Sequence, residues 1–319
     1  MMSNSAQSGS KVIVIGELNV DLIFADSNIT PEPNRERLVR DFRLALGSSS
    51  AIAAAGLAGL GLDVAFVSIV GDDEFGHFCL KELARLGVDV THVAVDSSVR
   101  TGVTLSLTDG SDRSLLTYMG SIGSVTPAMI PMELFREASH VHFGSYFLQD
   151  AMRPHWLEVF QLAKACGMTT SFDAGWDPAE HWDRERLAAL LAYTDWFIPS
   201  EEEALQVFEV GAVDELPGRL PAERGAVVVK CGSAGAVGIF ADGRVEYAPP
   251  FTVVPVDTTG AGDSFNAGFI AAKLRDEPDR EALEYANACG ALSTLAIGGA
   301  GTVTLDALAR FWPEGRRLA

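Results

Sequence analysis

The run Asp257-Thr258-Thr259-Gly260-Ala261-Gly262-Asp263 carries the most concentrated chemistry in the chain. Gly260, Ala261 and Gly262 are small enough for their backbone to approach a ligand closely. An apolar helix begins directly after them, with Phe265, Phe269, Ile270 and Leu274 on one side. The free amides and positive dipole end of such a helix make an anion site that needs no lysine. Asp263 stands where a carboxylate could take a proton from a hydroxyl aimed at that anion. A plain N-cap role for Asp263 leaves the flanking Asp-Thr-Thr without a reason. The combination points to phosphoryl transfer onto an alcohol.

Other chemistries lack their residues. The apolar run Val12 to Ile15 ends at Gly16 as a strand entering a dinucleotide fold would, but no G-x-G-x-x-G follows. No lysine follows a glycine, which removes a Walker A loop, and neither H-E-x-x-H nor G-x-S-x-G occurs. Cys79, Cys166, Cys231 and Cys289 are dispersed without a C-x-x-C pair, so neither a zinc knuckle nor a disulfide framework is expected. His140 and His142 share one face of a strand with no third ligand near in sequence, and read as a buried pair. With 24 basic and 43 acidic residues the net charge is −19. A chain this acidic repels phosphate backbones and anionic lipid, so neither nucleic acid nor a membrane surface is an expected partner. A turn of backbone amides can still hold a nucleotide's phosphates.

The elements that must position these residues alternate along most of the chain. Strand-like runs at Val12 to Ile15, Val64 to Val70, His140 to Phe143, Thr169 to Phe172, Trp196 to Ile198 and Val227 to Val229 alternate with helical periods. Helices are expected at Ala51 to Leu60, Phe75 to Leu86, Pro154 to Ala165 and Arg184 to Ala192. That rhythm predicts an α/β chain with a doubly wound, mostly parallel sheet and helices on both faces. The uncharged stretch Leu44 to Leu62 is rich in Ala, Gly and Ser, and reads as a helix buried between layers rather than a membrane span. Two regions, Arg35 to Leu46 and Arg100 to Tyr118, show strand alternation and a turn at Thr108-Asp109-Gly110. They read as antiparallel strands outside the main sheet, within about residues 17–46 and 98–120. Gly211 to Gly225 reads as a surface loop, residues 1–10 as a disordered lead-in, and residues 11–313 as one domain of a cytoplasmic protein.

The D-T-T-G-A-G-D run resembles the C-terminal signature of the ribokinase-like (pfkB) carbohydrate kinases. Gly47-Ser48, Leu60-Gly61 and Gly71-Asp72-Asp73-Glu74-Phe75-Gly76 follow that family's order and spacing from about Val12 to Thr304. The resemblance implies a ribokinase-like fold with a small β lid. It also implies Asp263 as general base, with the amides of Gly260, Ala261 and Gly262 holding the transferring phosphoryl group. Asp257 and Thr259 match positions beside a monovalent cation, expected to be potassium. Pro199-Ser200-Glu201-Glu202-Glu203 resembles N-x-x-E, which gives Glu203 the role of orienting magnesium-bound water, with Ser200 in place of Asn. Lys230, Gly232 and Gly235 match the strand and glycine turn under the nucleotide, and Asn287 a residue beside adenine. Asp21, with Asn19, Gly47, Ser48 and Asp173, matches the sugar side, where Asp177 is a further candidate. Ile52 stands where the family carries Asn, and no arginine follows Asp173-Ala174-Gly175.

The expected activity is therefore an ATP- and magnesium-dependent kinase acting on a hydroxymethyl group of a small neutral sugar. Neutrality is expected because the sugar-side candidates include three carboxylates and no cation. The alternatives are a nucleoside kinase of the same family, with Phe24, Phe42 and Tyr118 available to clamp a base, and a non-catalytic sugar-binding regulator. A homodimer through the lid is also expected.

Overall fold

Apolar β-branched runs and 3.6-period segments take turns along the chain, and the fold follows them. The computed structural model describes residues 11–26, 29–108 and 113–313. Strands β1 (Lys11–Ile15), β2 (Asn19–Ala25) and β3 (Asp41–Leu46) lead to helix α1 (Ser49–Gly59), β4 (Asp63–Gly71), α2 (Glu74–Arg85) and β5 (Val93–Asp96). Next come β6 (Gly102–Thr108), β7 (Arg113–Tyr118), α3 (Met132–Glu137), β8 (His140–Phe143), α4 (Trp156–Ala165) and β9 (Thr169–Phe172). Then follow α5 (Arg184–Leu191), β10 (Trp196–Phe197), α6 (Glu201–Phe208), β11 (Ala226–Lys230), β12 (Ala236–Ile239) and β13 (Val245–Ala248). The chain closes with α7 (Ala261–Lys273), α8 (Asp279–Ser293) and α9 (Leu305–Phe311).

Nine strands form one sheet in the order β13-β12-β11-β10-β9-β8-β1-β4-β5. Every neighbouring pair from β11 to β5 is parallel, and β12 and β13 are added antiparallel. Val12 and Val14 turn to one face, against Ala54, Leu83, Phe269 and Ala286 from α1, α2, α7 and α8. Ile13 and Ile15 turn to the other, against Phe160, Leu187 and Val207 from α4, α5 and α6. Both faces are covered, which is why the parallel strands are apolar without alternation. β4 lies on one side of β1 and β8 on the other, so the strand order reverses at β1. The crevice at the C-terminal ends of strands flanking such a reversal is where an open α/β sheet binds ligands.

Helix α1 is buried from Ser50 to Leu57, and a Cβ on its Gly56 would lie 2.7 Å from that of Ala267 in α7. Small residues thus let two helices approach, which accounts for the uncharged stretch beginning at Leu44. Among the described residues no helix is long and apolar enough to cross a membrane. His140 and His142 are buried and both bond the Ser171 hydroxyl at 2.8 Å. Burial pushes His142 down to about 4 and His140 well below its ordinary value, so both are neutral.

A second sheet, in the order β3-β2-β6-β7, stands outside the first. Its β2–β3 and β6–β7 pairs are antiparallel, but β2 and β6 are parallel, which corrects the all-antiparallel expectation. The reason is topological: β2 follows the C-terminal end of β1 and β6 that of β5, so both leave the main sheet in the same direction. Residues 35–40 form no strand, and β3 begins only at Asp41. The stretch 211–225 contains a 3₁₀ turn, Val213–Gly218, that buries Leu216 in the core instead of forming only surface loop. The expected lead-in at residues 1–10 and the Asp109-Gly110 turn lie outside the described residues.

Helices α7 and α8 meet at Gly268, where a Cβ would fall 2.8 Å from Cys289 Sγ and 3.0 Å from Ala286 Cα. Gly268→Ala gains about 1 kcal/mol in helix propensity and loses about 1–3 kcal/mol to overpacking. The variant is expected to show a lower urea midpoint with an unchanged slope. A midpoint at or above the parent's would mean that the helices separate without cost.

Candidate active site

The Gly260-Ala261-Gly262 loop sits at the start of α7. Gly260 is the N-cap residue at φ 73°, a conformation that suits glycine, and a side chain there would press on Gly299 Cα at 2.7 Å. Ile52 Cγ2 and Cδ1 lie 3.0 and 3.1 Å from the same point, so this departure from the family pattern gives the loop an apolar buttress. The Ala261 amide donates to the Thr258 carbonyl at 3.2 Å, and the Ser264 amide to Gly260 at 2.9 Å. Ala261 was expected to offer its amide to the phosphoryl group; here the amide closes a turn. The amides of Gly262 and Asp263 lie between these two, in the first helical turn, where no earlier carbonyl is in line.

A buried ion pair lies beside this loop. Lys230, at the end of β11, donates from Nζ to Asp173 Oδ2 and to Asn266 Oδ1, and Asn266 Nδ2 donates to the same Asp173 oxygen at 2.7 Å. Asp173 Oδ1 accepts the Gly175 amide at 3.2 Å. Asp173, expected on the sugar side, therefore has its carboxylate committed to a network joining β9, β11 and α7. Lys230, expected under the nucleotide, lies close to the loop: a Cβ on Gly262 would sit 3.3 Å from its Nζ. Burial pushes the Asp173 carboxyl up, but Lys230 and the hydrogen bonds outweigh it and hold the carboxyl below its ordinary value. Burial pushes the Lys230 ammonium down, and the charges of Asp173 and Glu203 more than restore it.

Two further carboxyls are shifted the other way. Burial, then the charge of Asp173, pushes Asp263 up to about 7, against the Ser49 hydrogen bond and Lys230. Burial and Asp173 likewise push Glu203 up to about 7. Glu203 is the third residue of α6 and closes a capping box with Ser200: Ser200 N donates to Glu203 Oε2 at 2.8 Å, and Glu203 N to Ser200 Oγ at 3.2 Å. One carboxylate oxygen is thus tied to the helix start, where the shorter Ser200 serves as the cap. Among the described residues no group of three His, Cys, Asp or Glu side chains could cage a metal. A magnesium ion carried on phosphates and water needs no such cage, and one partly tied carboxylate at this place fits it. Asp257 accepts the Thr259 amide on Oδ1 and the Gly298 amide on Oδ2, both at 2.9 Å, and so clasps the two loops around Gly260.

Beyond the loop lies a cleft of about 450 Å³ lined by Lys230, Gly232, Gly235, Gly262 and Asn287, with Pro250, Phe251, Val253 and Ala291 as apolar walls. An apolar slot ending in an anion loop fits a nucleotide. Asn287 donates to the carbonyls of Ala248 and Pro249, both at 3.0 Å, and so anchors one wall.

The second sheet approaches the site through β2 and β6. Strand register puts Ala45, Asp21, Thr104 and Thr117 in one cross-strand row, with Gly47 and Asn19 beside it. Asn19 Nδ2 reaches Asp21 Oδ1 and Thr104 Oγ1, each at 3.4 Å, and the Thr104 and Thr117 hydroxyls are 3.1 Å apart. A Cβ on Gly47 would be 2.2 Å from Asp21 Oδ1, so Asp21 lies directly on the backbone there. Two residues on, the Ser49 hydroxyl donates to Asp263 Oδ1. Asp21 and Asp263 therefore flank one short segment. Ser48 was expected at the sugar; its hydroxyl instead accepts the Ala51 amide as N-cap of α1 and donates to the Glu17 carbonyl at 2.6 Å, at φ 75°. The Asp177 carboxylate accepts the amides of Ala179, His181 and Trp182.

Ser49, Asn266 and Glu17 take part without having been singled out. Asn266 is one helical turn beyond Asp263, a spacing the sequence offered. Ser49 was hidden in a run of three serines. Glu17 is a carboxyl directly after a buried strand, and burial holds it above its ordinary value.

Residues 10–305 match the pfkB family of carbohydrate kinases. An ATP-dependent ribose-1-phosphate kinase of Halopiger xanaduensis is 35% identical over 95% of this chain and 98% of its own. A fructokinase of Klebsiella pneumoniae is 33% identical over 90% and 94%. The crystal structure of Vibrio cholerae fructokinase with fructose, ADP and calcium superposes with a TM-score of 0.81 at 25% identity, covering 96% of this chain and 99% of that one. The nine-stranded, mostly parallel sheet with its helices is that of a ribokinase-like α/β fold, and the chain belongs to the pfkB family of carbohydrate kinases.

Proposed function

We propose that this kinase transfers the γ-phosphoryl group of ATP to a hydroxymethyl group of a small neutral sugar. The observation that carries the reading is Asp263 in the first turn of α7, between the anion loop and the segment that packs against Asp21. The sugar oxygen forms a bond to the γ-phosphorus as the bond to the β-phosphate bridging oxygen breaks. The electron pair leaves with ADP, and the hydroxyl proton passes to Asp263. The amides of Gly262 and Asp263, and the nearby ammonium of Lys230, stabilise charge on the phosphoryl oxygens. Magnesium, when bound, neutralises phosphate charge, and Glu203 would orient its water shell. Asp257 and Thr259 would flank a potassium ion, for which carboxylate and backbone oxygens are suitable ligands.

The polar row Asn19, Asp21, Thr104 and Thr117 suits hydroxyls, since it offers acceptors and donors but no charge to match an anion. The residues available to clamp a nucleobase, Phe24, Phe42 and Tyr118, lie on the other face of the lid from Asp21. That favours a sugar over a nucleoside. The charge cluster around Asp263 favours a catalyst over a regulator. A second reading, a sugar carrying a phosphate, is favoured by Arg43, one row beyond Asp21 on the same lid face, and by the ribose-1-phosphate kinase relative.

The other lid face bears cross-strand apolar rows, Leu44-Leu22-Leu105-Leu116 and Phe42-Phe24-Leu107. Phe42, Leu116 and Tyr118 are more than half exposed. We propose that this face meets its equivalent on a second copy, because an apolar patch of this kind marks an interaction site.

In the wild type kcat/KM rises about tenfold per pH unit below pH 7 and levels above it, because Asp263 must be ionised to accept the proton. Asp263→Asn loses about 10²–10⁴ in kcat while MgATP still raises the melting temperature, and the wild-type rate is higher in potassium than in sodium. Normal turnover by the variant would remove the base. In competition, a neutral pentose or hexose is expected to show the higher kcat/KM than its 1-phosphate; the reverse order, lost in Arg43→Ala, would establish the second reading. Sedimentation equilibrium is expected to give a dimer that Leu116→Glu dissociates; a monomeric parent at micromolar concentration would refute the lid interface.

A further inference from the structure

We propose that Ser49 is a positioning residue for the base: its hydroxyl donates to Asp263 Oδ1, fixes the rotation of that carboxylate, favours its ionised form and leaves Oδ2 for the alcohol. The inference rests on Asp263 being the base.

Four contacts hold Ser49 for this task. Its predecessor Ser48 is pinned as N-cap and bonded to the Glu17 carbonyl. Its successor Ser50 donates to Glu17 Oε2 at 2.9 Å and accepts the Gly144 amide at 3.2 Å. Both flanks of Ser49 are thus tied to the loops after β1 and β8, while its own hydroxyl goes to α7. Gly144 provides the room. A Cβ there would lie 2.5 Å from Ser49 Oγ and 3.0 Å from Ser49 Cβ. Gly144 is not among the positive-φ glycines, so what this glycine supplies is space for the serine hydroxyl and not an unusual turn.

The electrostatic setting gives that hydroxyl weight. The charged groups acting on Asp263 are Asp173 after β9, Glu17 after β1 and Lys230 at the end of β11. Both carboxyls oppose its ionisation. Lys230 favours it but is engaged with Asp173 and Asn266. A hydrogen bond to the charged form is worth more than one between neutral groups. Removing it makes the proton harder to displace.

The test compares Ser49→Ala, Gly144→Ala and Ser49→Thr by kcat/KM against pH, with the MgATP-induced rise in melting temperature as the control for intact nucleotide binding. Ser49→Ala is expected to lower kcat about tenfold and to move the acid limb up by about one pH unit, with the sugar KM within about twofold. Gly144→Ala, which displaces the hydroxyl without deleting it, is expected to move the limb the same way. Ser49→Thr keeps the hydroxyl and should keep the parental limb. If Ser49→Ala does not fold, Gly144→Ala carries the test. An unmoved limb in a variant that folds and binds MgATP would overturn the role, whatever the loss of rate. Normal turnover by Asp263→Asn would instead overturn the parent reading and leave this one without its base.

Discussion

One buried ammonium sets the charge balance on which the site depends. Asp173, Glu203 and Asp263 converge around Lys230, which is engaged with the first of them, and Glu17 adds its charge to the field at Asp263. A single cation can offset one carboxylate, and the remainder cannot all ionise cheaply in a region shielded from water. The shifts follow: Asp173, in contact with the ammonium, is held down, while Asp263 and Glu203 rise to about 7 and Glu17 is raised. The same arithmetic explains why a nucleotide needs a divalent ion here. Phosphates entering this cluster meet amides and one committed ammonium, so further positive charge must arrive with them.

The pair also does structural work across three elements. Asp173 follows β9, Lys230 ends β11 and Asn266 lies in α7, so the network ties the start of α7 to the sheet. Such a pair is weak evidence for net stability, since desolvation offsets much of the attraction. Its contribution is to orientation. Lys230 is held against Gly262, and Asn266 fixes the turn of α7 that follows Asp263. The lid completes the arrangement through register: a period of two puts hydroxyls and Asp21 toward one side and Leu and Phe toward the other. A slip of one residue in β2 would exchange those faces and abolish both.

Much of this was legible in the sequence, because local pattern reports local structure. The parallel strands announce themselves as unbroken apolar runs, and the D-T-T-G-A-G-D run marks the loop that opens α7 within seven residues. What was not legible are partners far apart in the chain. Lys230 meets Asp173 across 57 residues, and Ser49 meets Asp263 across 214. Periodicity tells which way each side chain faces but not which side chain it will meet. That is why Asp173 reads as a sugar ligand in the sequence and Ser49 carries no signal there. Ser48 and Asp177 were misplaced for a related reason: short polar side chains satisfy nearby amides first, and a carboxylate capping its own loop looks in sequence like a ligand. The parallel β2–β6 pair was hidden because alternation marks a strand without giving its direction.

The account rests on Lys230 and Asp173 acting as one unit, and a double-mutant cycle measures that directly. Lys230→Met, Asp173→Asn and the double variant would be compared in urea unfolding. Lys230→Met leaves a buried carboxylate unpaired and should cost about 3–5 kcal/mol; the double variant should recover most of that, a coupling well above 1 kcal/mol. Single-variant costs that simply add in the double variant would contradict the account.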